Sequence, residues 1–286
     1  FILAFLTAVS ESTKDYFSKK ALTGEIDEYV SSWALRVFAL PLLIIILFFT
    51  GIPEIGSKFW IALIVSGGLN VFATILFMKS IQESDLSLVV PMISFTPLFL
   101  LVTSPIIVGE FPDMYGLIGV ILIVVGTYIL NLKEKDKGVF APIKAIFQKK
   151  GPRLILGVAF LWSITSNFDK WGVQASSSYF WVFASTLFIS IILFFIMLRY
   201  SEDSLNTVKK NTKALVPIGA VNGLKLTFQM AALNFTLVPY VISIKRTSIL
   251  LSMIVGFFFF RERENISQRL VGGVLMLAGV IFITLL

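Results

Sequence analysis

The segment EFPDMYGLIGVILIVVG, residues 110–126, has a counterpart in ERENISQRLVGGVLMLAG, residues 262–279. Both contain a glutamate, then a glycine nine or ten residues later, then a second glycine seven residues beyond it. Other matches keep the same order at a displacement of 151 to 153 residues, which indicates an internal repeat. The matched pairs are Phe17 with Phe168, Lys19 with Lys170, Asn70 with Asn222, Met78 with Met230, Glu110 with Glu262, Gly119 with Gly272 and Gly126 with Gly279.

The composition is that of a membrane protein. Hydrophobic residues make up 57% of the 286 positions, charged residues make up 14%, and the mean hydropathy is +0.90. A helix needs about 20 apolar residues to cross about 30 Å of hydrocarbon. We therefore predict an all-α membrane protein with ten transmembrane helices. They cover residues 1–22, 29–49, 58–80, 86–108, 113–132, 153–175, 179–200, 213–234, 239–260 and 266–286.

The repeat divides the ten predicted spans into two groups of five. Residues 1–132 form the first repeat, residues 153–286 form the second, and a basic connector of residues 133–152 joins them. Because each repeat holds an odd number of spans, the second repeat enters the membrane in the opposite orientation. Inverted repeats place a binding site near the middle of the membrane, between the halves. The sequence thus predicts two inverted five-helix repeats around a central cavity.

Basic residues are unevenly distributed between the two sides of the membrane. Lys and Arg concentrate in the loops and helix ends that join odd to even spans, whereas the opposite loops contain little besides Lys58. The positive-inside rule makes the basic side cytoplasmic and places both ends of the chain outside. We expect an integral, multi-pass protein of the cytoplasmic membrane of a prokaryote.

Several classes of function are made improbable by what the sequence lacks. It contains no Cys and no His, which removes disulfides, thiolate and imidazole catalysis, and the usual zinc and haem ligands. It has no G-x-x-x-x-G-K-[ST] motif, so we do not predict ATP-driven pumping by this chain alone. The net charge of +7 lies mainly in membrane loops and does not indicate a nucleic-acid partner. We predict no enzyme activity, no cofactor and no metal, and we expect membrane lipid and a small-molecule substrate as partners of a chain that is compatible with a monomer.

Two adjacent cations, Lys245 and Arg246, lie inside the otherwise apolar ninth span. Each charged side chain at the centre of a membrane helix costs about 2.5 to 3.5 kcal/mol on insertion scales. Such a pair is retained where it faces a partner, a cavity or a ligand, and the ligand would be an anion. The counterparts in the first repeat, Ile93 and Ser94, are uncharged. The predicted anion site therefore belongs to the second repeat.

Polar residues recur at helical spacing on four predicted spans, the first, sixth, eighth and ninth. In the eighth span, Asn222, Lys225 and Gln229 occupy positions i, i+3 and i+7, which places them on one face. Four helices with one polar face each predict a central cavity. The candidate substrate-binding residues are Lys245, Arg246, Lys225, Gln229, Asn222, Asn167 and Ser248, and the candidates for coupling or charge balance are Glu11, Lys14 and Asp15.

Some of these residues also have structural interpretations. Serines and asparagines in membrane helices often hydrogen-bond to neighbouring helices rather than to a ligand. Glu11 either forms a salt bridge with Lys225 or Lys245, or couples transport to protons. Lys14 and Asp15 can neutralise each other locally.

Charged residues near helix ends are interpreted separately. Lys170 is expected to extend its amine to the membrane interface, and Arg36 either does the same or pairs with an acid of the first span. Glu110 and Glu262 lie at the edges of loops and occur in both repeats. We expect each of them to cap the helix that follows it.

The second repeat contains another motif in addition to the duplicated glutamate and glycine pattern. A Trp-Ser pair, Trp162 and Ser163, lies in its first helix, and Lys170 follows eight residues after the tryptophan. Together these motifs resemble the drug/metabolite transporter superfamily, in particular its ten-helix EamA-type members, over essentially the whole chain. The resemblance implies a secondary transporter that works by alternating access. It also implies cytoplasmic termini, the reverse of the orientation that the loop charges indicate, so the orientation stays open.

The ninth span carries a second and narrower resemblance. The segment ISIKRTSILLSMIVGFFFFRE, residues 242–262, is similar to the ninth helix of plastid triose-phosphate and related sugar-phosphate translocators. In that family an adjacent Lys-Arg pair binds the substrate phosphate. The resemblance implies that Lys245 and Arg246 are phosphate ligands. The chemistry agrees, because Arg offers a planar fork for two oxygens and Lys supplies a compact charge.

Two transport functions are compatible with these features. The first is alternating-access exchange of a small anionic metabolite, with phosphorylated molecules as the leading examples. The second is export of amino acids or related zwitterions coupled to an ion gradient, in which Glu11 or Asp15 binds an ammonium group or a proton. A membrane enzyme or scaffold without transport would need a catalytic constellation, and a chain without His or Cys offers no convincing one.

Overall fold

A computed structural model describes residues 1–21, 26–83, 92–130, 140–259 and 266–285 of the chain. Within these residues the regular structure is helical, and thirteen helical segments make up the ten spans and a short connector helix. The second span consists of α2 and α3, the ninth consists of α11 and α12, and α7 lies in the connector. The segments are α1 Ile2–Ala21, α2 Glu28–Val37, α3 Leu40–Thr50, α4 Lys58–Glu83, α5 Thr96–Ile107, α6 Met114–Leu130, α7 Ala141–Gln148, α8 Lys150–Gln174, α9 Ser178–Tyr200, α10 Ser204–Leu233, α11 Val238–Arg246, α12 Ser248–Phe259 and α13 Ile266–Leu285.

The outer surface of the helical bundle is apolar. Phe48 is 83% exposed and Ile106 is 78% exposed, as expected for side chains that face lipid. Among the described residues, four helical stretches are long and apolar enough to cross a membrane: Glu28–Thr50, Lys58–Ser80, Ser178–Tyr200 and Val238–Val255. Helices α1, α8 and α10 are 20, 25 and 30 residues long but carry more polar residues. Several of these, such as Asp169, Lys170 and Lys225, are buried in the interior. The chain is an integral, multi-pass membrane protein.

The two repeats pack against each other in reciprocal pairs. Helix α4, the third span, packs on α8, the sixth, and the equivalent pair of α10 and α1 packs in the same way. The contact of α5 with α8 is likewise matched by the contact of α11 and α12 with α1. Exchanging the repeats converts each of these contacts into the other. A pseudo-two-fold axis therefore relates the halves.

The fifth and tenth spans, α6 and α13, meet on this axis through glycines. A Cβ atom added to Gly119 would lie 2.6 Å from the carbonyl oxygen of Gly279, and one added to Gly126 would lie 2.6 Å from that of Gly272. Glycine permits this close backbone approach between membrane helices. Residue numbers rise along α6 as they fall along α13, so these two equivalent helices run antiparallel. The predicted inverted repeats are confirmed.

The fourth and ninth spans, which are also equivalent, are interrupted at matching positions. In the ninth span α11 ends at Arg246 and α12 begins at Ser248, and the Thr247 hydroxyl between them donates to the Ile244 carbonyl at 2.7 Å. In the fourth span, residues 94–95 form a turn before α5 begins at Thr96. In the sequence, Pro91, Pro97 and Pro105 permit bends in the fourth span, whereas the ninth span was predicted to be continuous. Discontinuous membrane helices are common where transporters hold their substrates.

Candidate functional site

A cavity of about 390 Å³ lies between the two repeats. We call the membrane side that carries α7 the connector side, and the opposite side the Glu110 side. Lining side chains toward the connector side, such as Ser32 and Phe77, are half-buried, whereas Val182 and Ile242 toward the Glu110 side are buried. The cavity therefore opens to the connector side and is closed at the Glu110 side.

Charged groups of the cavity are mostly cationic. Five basic side chains and two acidic ones line its walls, so its formal charge is positive. A cavity with one dominant sign of charge and low-dielectric walls raises the local concentration of ions of the opposite sign. The basic residues are Lys14, Arg36, Lys225, Lys245 and Arg246, and the acidic ones are Glu11 and Asp169.

Glu11 is shared between two lysines. Its Oε1 lies 2.6 Å from the Lys14 Nζ, and its Oε2 lies 3.2 Å from the Lys225 Nζ. The predicted salt bridge from Glu11 to Lys225 is confirmed. Lys14 also lies 3.3 Å from Asp15, as expected for local neutralisation. Glu11 therefore forms its direct ion pairs with Lys14 and Lys225 and not with Lys245 or Arg246, although its charge also acts on those two side chains.

Lys245 and Arg246 occupy the last turn of α11, beside the interruption of the ninth span. The Nη2 of Arg246 donates to the Thr96 hydroxyl at 3.0 Å, so the interrupted fourth and ninth spans meet here. The Nε of Arg246 is buried and has no hydrogen-bond partner. Among the described residues, no carboxylate lies within salt-bridge distance of the Lys245 amine. Helices α5 and α12 begin next to these cations, and their N-terminal ends add positive potential.

Asn222 and Gln229 line the cavity from α10 together with Lys225, in agreement with their helical spacing. The Asn222 amide donates to the Leu35 carbonyl of α2 at 2.9 Å. The Gln229 Oε1 is buried and has no hydrogen-bond partner. Asn222 therefore joins two helices at the cavity wall, and Gln229 retains an acceptor for a ligand.

Three other candidate residues, Asn167, Ser248 and Asp15, lie outside the lining of the cavity. Asn167 is fully buried and accepts a hydrogen bond from the Ser104 hydroxyl at 2.7 Å, which joins α8 to α5. Ser248 is buried at the start of α12. Asp15 accepts from Ser252 at 3.3 Å and links α1 to α12. Asn167 and Asp15 thus join neighbouring helices, and none of the three residues lines the cavity.

Asp169, which is not among the candidates predicted from the sequence, lines the cavity and is 8% exposed. Its Oδ1 accepts from the Ser66 hydroxyl at 2.6 Å and from the Trp181 indole at 3.3 Å. Arg36 also lines the cavity, and its charge interacts with Asp169 of α8 rather than with an acid of α1. A lone carboxylate within a membrane helix was the available signal, and its neighbour Lys170 obscured it.

The closed end of the cavity is fastened by an ion pair between the repeats. Glu110 binds the amine of Lys170, and this amine also donates to the Thr236 carbonyl at 3.1 Å. The second carboxylate oxygen of Glu110 accepts from the Val238 amide at 3.0 Å, in the first turn of α11. One residue of the first repeat thus holds two helices of the second, α8 and α11. We call Glu110, Lys170 and Val238 the Glu110 clamp.

Two expectations about these residues were wrong. The Lys170 side chain does not extend to the interface, because it is 8% exposed and pairs with Glu110. Glu110 does not cap α6, the helix that follows it; Asp113 does so by accepting from the Gly116 amide at 2.7 Å. Glu110 caps α11 instead, far along the chain. The equivalent residue of the second repeat, Glu262, lies outside the described residues.

Known proteins share both the sequence pattern and the fold. The model of the EamA-like transporter family matches residues 1–132 and 149–285. No curated protein matches the sequence. A solved structure described only as the crystal structure of a protein superposes with a TM-score of 0.77 at 14% identity, over 99% of this chain and 96% of that chain. At this identity the likeness concerns the fold alone.

Proposed function

We propose that this chain, which belongs to the EamA-like transporter family, exchanges small anionic metabolites, phosphorylated ones among them, across the membrane by alternating access. Membership of the family makes it a membrane transporter of small molecules. The observation that supports an anionic substrate is the charge of the cavity, which is lined by five basic groups and two acidic ones. An anion is the ligand that compensates this excess.

Exchange is supported by the same imbalance of charge. The Lys245 amine has no carboxylate partner among the described residues, and the Arg246 Nε has no acceptor there. Moving uncompensated charge through a low-dielectric environment is costly, so the empty carrier should reorient slowly. A bound anion removes this cost. The loaded carrier should therefore reorient in both directions faster than the empty one.

Export of zwitterions such as amino acids is the second candidate. The observation that favours it is Asp169, a carboxylate in the cavity that could face an ammonium group. The two acids of α1 that the sequence suggests for this role are less suitable for binding an ammonium group. Glu11 is shared between Lys14 and Lys225, and Asp15 lies outside the cavity lining. These contacts support an anion as the substrate.

Binding can be tested by thermal shift on the purified protein. The probes are inorganic phosphate, 3-phosphoglycerate, UDP-glucose and L-alanine, because a ligand of the native state raises the melting temperature by mass action. We expect phosphorylated probes to stabilise the protein and Lys245→Gln to weaken their binding by at least about tenfold. Lys150→Gln is the matched control, because Lys150 is exposed and pairs with Glu83 away from the cavity.

Exchange can be tested with the protein in proteoliposomes. Uptake of a labelled anion that binds in the thermal-shift assay should require an anion inside the vesicle and should be lost in Lys245→Gln. Rapid net flux of an uncharged substrate that survives both Lys245→Gln and Arg246→Gln would contradict the proposal. Uptake of L-alanine driven by a pH gradient and dependent on Glu11 would favour the zwitterion exporter.

A further inference from the structure

Several polar atoms that line the cavity have no hydrogen-bond partner among the described residues. On α11 they include two donors, the Arg246 Nε and the Lys245 amine. On α8, α9 and α10 they include three oxygens that can accept, the Asp169 Oδ2, the Thr186 Oγ1 and the Gln229 Oε1. The Glu11 Oε2 also lacks a hydrogen bond, but it takes part in an ion pair. A polar group that is buried without a partner costs stability. Two separate sets of opposite character therefore point to a ligand with an acceptor end and a donor end.

The orientation of the Asp169 carboxylate is fixed by two helices. Ser66 of α4 and Trp181 of α9 both donate to Oδ1, and Oδ2 has no hydrogen-bond partner among the described residues. Arg36 also lines the cavity and interacts electrostatically with this carboxylate, so the formal charges of the two side chains are opposite and equal. A hydroxyl group can donate to Oδ2 without adding charge to this wall, whereas an ammonium group would add one.

The two groups are close enough for one small molecule. Asp169 also interacts electrostatically with Lys245, and the cavity volume of about 390 Å³ is within the range of small-ligand sites. We propose that a second subsite, formed by Asp169, Thr186 and Gln229, accepts hydrogen bonds from hydroxyl groups of a substrate whose anionic group lies at the cations of α11. This inference rests on the proposed function and narrows its substrate to hydroxylated anions.

The test compares ligands that differ only at the end distant from the phosphate. Binding of inorganic phosphate, propyl phosphate, sn-glycerol 3-phosphate and phosphoethanolamine is measured by calorimetry on the purified full chain. We expect sn-glycerol 3-phosphate to bind about tenfold more tightly than propyl phosphate, since hydrogen bonds to its hydroxyls satisfy buried acceptors. Asp169→Asn keeps the shape of the side chain but replaces an acceptor by a donor at the Oδ2 position. It should abolish most of this tenfold difference and change phosphate binding less than about threefold.

Thr186→Val provides a second variant in case Asp169→Asn fails to fold, and it should reduce the same difference. Thr227→Val is the matched control, because Thr227 is buried on α10, outside the cavity lining, and bonds only within its own helix at the Gly223 carbonyl. The inference is overturned if the difference persists in both Asp169→Asn and Thr186→Val, or if all ligands weaken equally. If the wild-type protein preferred phosphoethanolamine, the second subsite would bind an ammonium group rather than a hydroxyl group, and the inference would be wrong. Failure of all four ligands to bind the wild-type protein would overturn the proposed function itself.

Discussion

The place of Lys245 and Arg246 in α11 favours two basic side chains inside the membrane. They occupy the last turn of a nine-residue helix, where the C-terminal end of the helix dipole favours cations. The Thr96 hydroxyl accepts one bond from Arg246. Glu11 forms its ion pair with the neighbouring Lys225 rather than with Lys245, although its charge also acts on Lys245 and Arg246. The fold thus tolerates the two cations without pairing either one directly with a carboxylate among the described residues.

Replacing Glu11 should separate stability from binding. Glu11→Gln removes the counter-charge of Lys14 and Lys225, whose side chains are 16% and 11% exposed. Breaking a buried pair on one side costs about 3 kcal/mol of unfolding free energy. The cavity also becomes more positive, so phosphate should bind several-fold more tightly. Unfolding of the purified variant and phosphate calorimetry measure the two effects.

The double variant Glu11→Gln with Lys225→Gln provides the control for charge. It removes one cation together with the acid, so part of the lost stability should return. Phosphate binding that weakens in Glu11→Gln would show that Glu11 contributes to binding in another way, as the zwitterion exporter requires.

Local spacing identified part of this site, and tertiary contacts determined the rest. The positions of Asn222, Lys225 and Gln229 on one face follow from helix geometry, which needs no other information. Asp169 depends on Ser66, 103 residues away, and no local pattern reports that contact. Lys170 was misread for the same reason, because its partner Glu110 lies in the other repeat.

At the scale of elements, α11 connects the closed end of the cavity to the cations. Its first turn is held by Glu110 through the Val238 amide, and its last turn carries Lys245 and Arg246. Because α11 is a short helix, a movement at the Glu110 clamp can be transmitted to the two cations at its other end. The interruption at Thr247 separates this helix from α12. Neither Gly nor Pro marks the position, so the sequence predicted a continuous span there.

Removing the Glu110 clamp should loosen the start of α11. Glu110→Gln weakens the pair with Lys170 and the bond to the Val238 amide, both of which are charge-assisted. We expect hydrogen exchange of a peptide covering residues 236–244 to accelerate about tenfold, because local opening becomes easier. Exchange of the connector helix α7 should stay unchanged.

Glu83→Gln is the control for this experiment. It breaks an exposed pair with Lys150 at the connector side, and such pairs contribute little. If Glu83→Gln accelerated residues 236–244 as much as Glu110→Gln does, the effect would not be specific to the Glu110 clamp.

The whole molecule is organised by the pseudo-two-fold axis between its repeats. The architecture could be predicted from the sequence because the glycines that meet on this axis recur in both halves, at Gly119 and Gly126 and again at Gly272 and Gly279. The cations could be predicted because they occur in only one of the two repeats. The unpartnered oxygens around Asp169 could not be predicted, since they depend on which side chains lie next to one another in the folded chain.

Equivalent glycines should respond equally to substitution. Alanine at Gly119 places a Cβ 2.6 Å from the Gly279 carbonyl oxygen, and alanine at Gly272 places one 2.8 Å from that of Gly126. Both variants should lose about 1 to 3 kcal/mol of unfolding free energy, because the helix backbones must separate. Gly157→Ala is the control: its Cβ meets nothing within 4 Å, and the higher helix propensity of alanine should make it neutral or stabilising by up to about 1 kcal/mol. A large loss in only one of Gly119→Ala and Gly272→Ala would contradict the symmetric contact.

The interruption at Thr247 has a consequence for how the protein is made. It divides the ninth span into helices of 9 and 12 residues, neither long enough to cross the hydrocarbon alone. The two cations add an insertion cost of about 5 to 7 kcal/mol. During synthesis this segment therefore depends on partners that enter the membrane earlier, including Thr96 and the helix that carries Glu11. Although the two repeats share their architecture, we expect the second repeat, when it is synthesised without the first, to insert its ninth span into the membrane inefficiently.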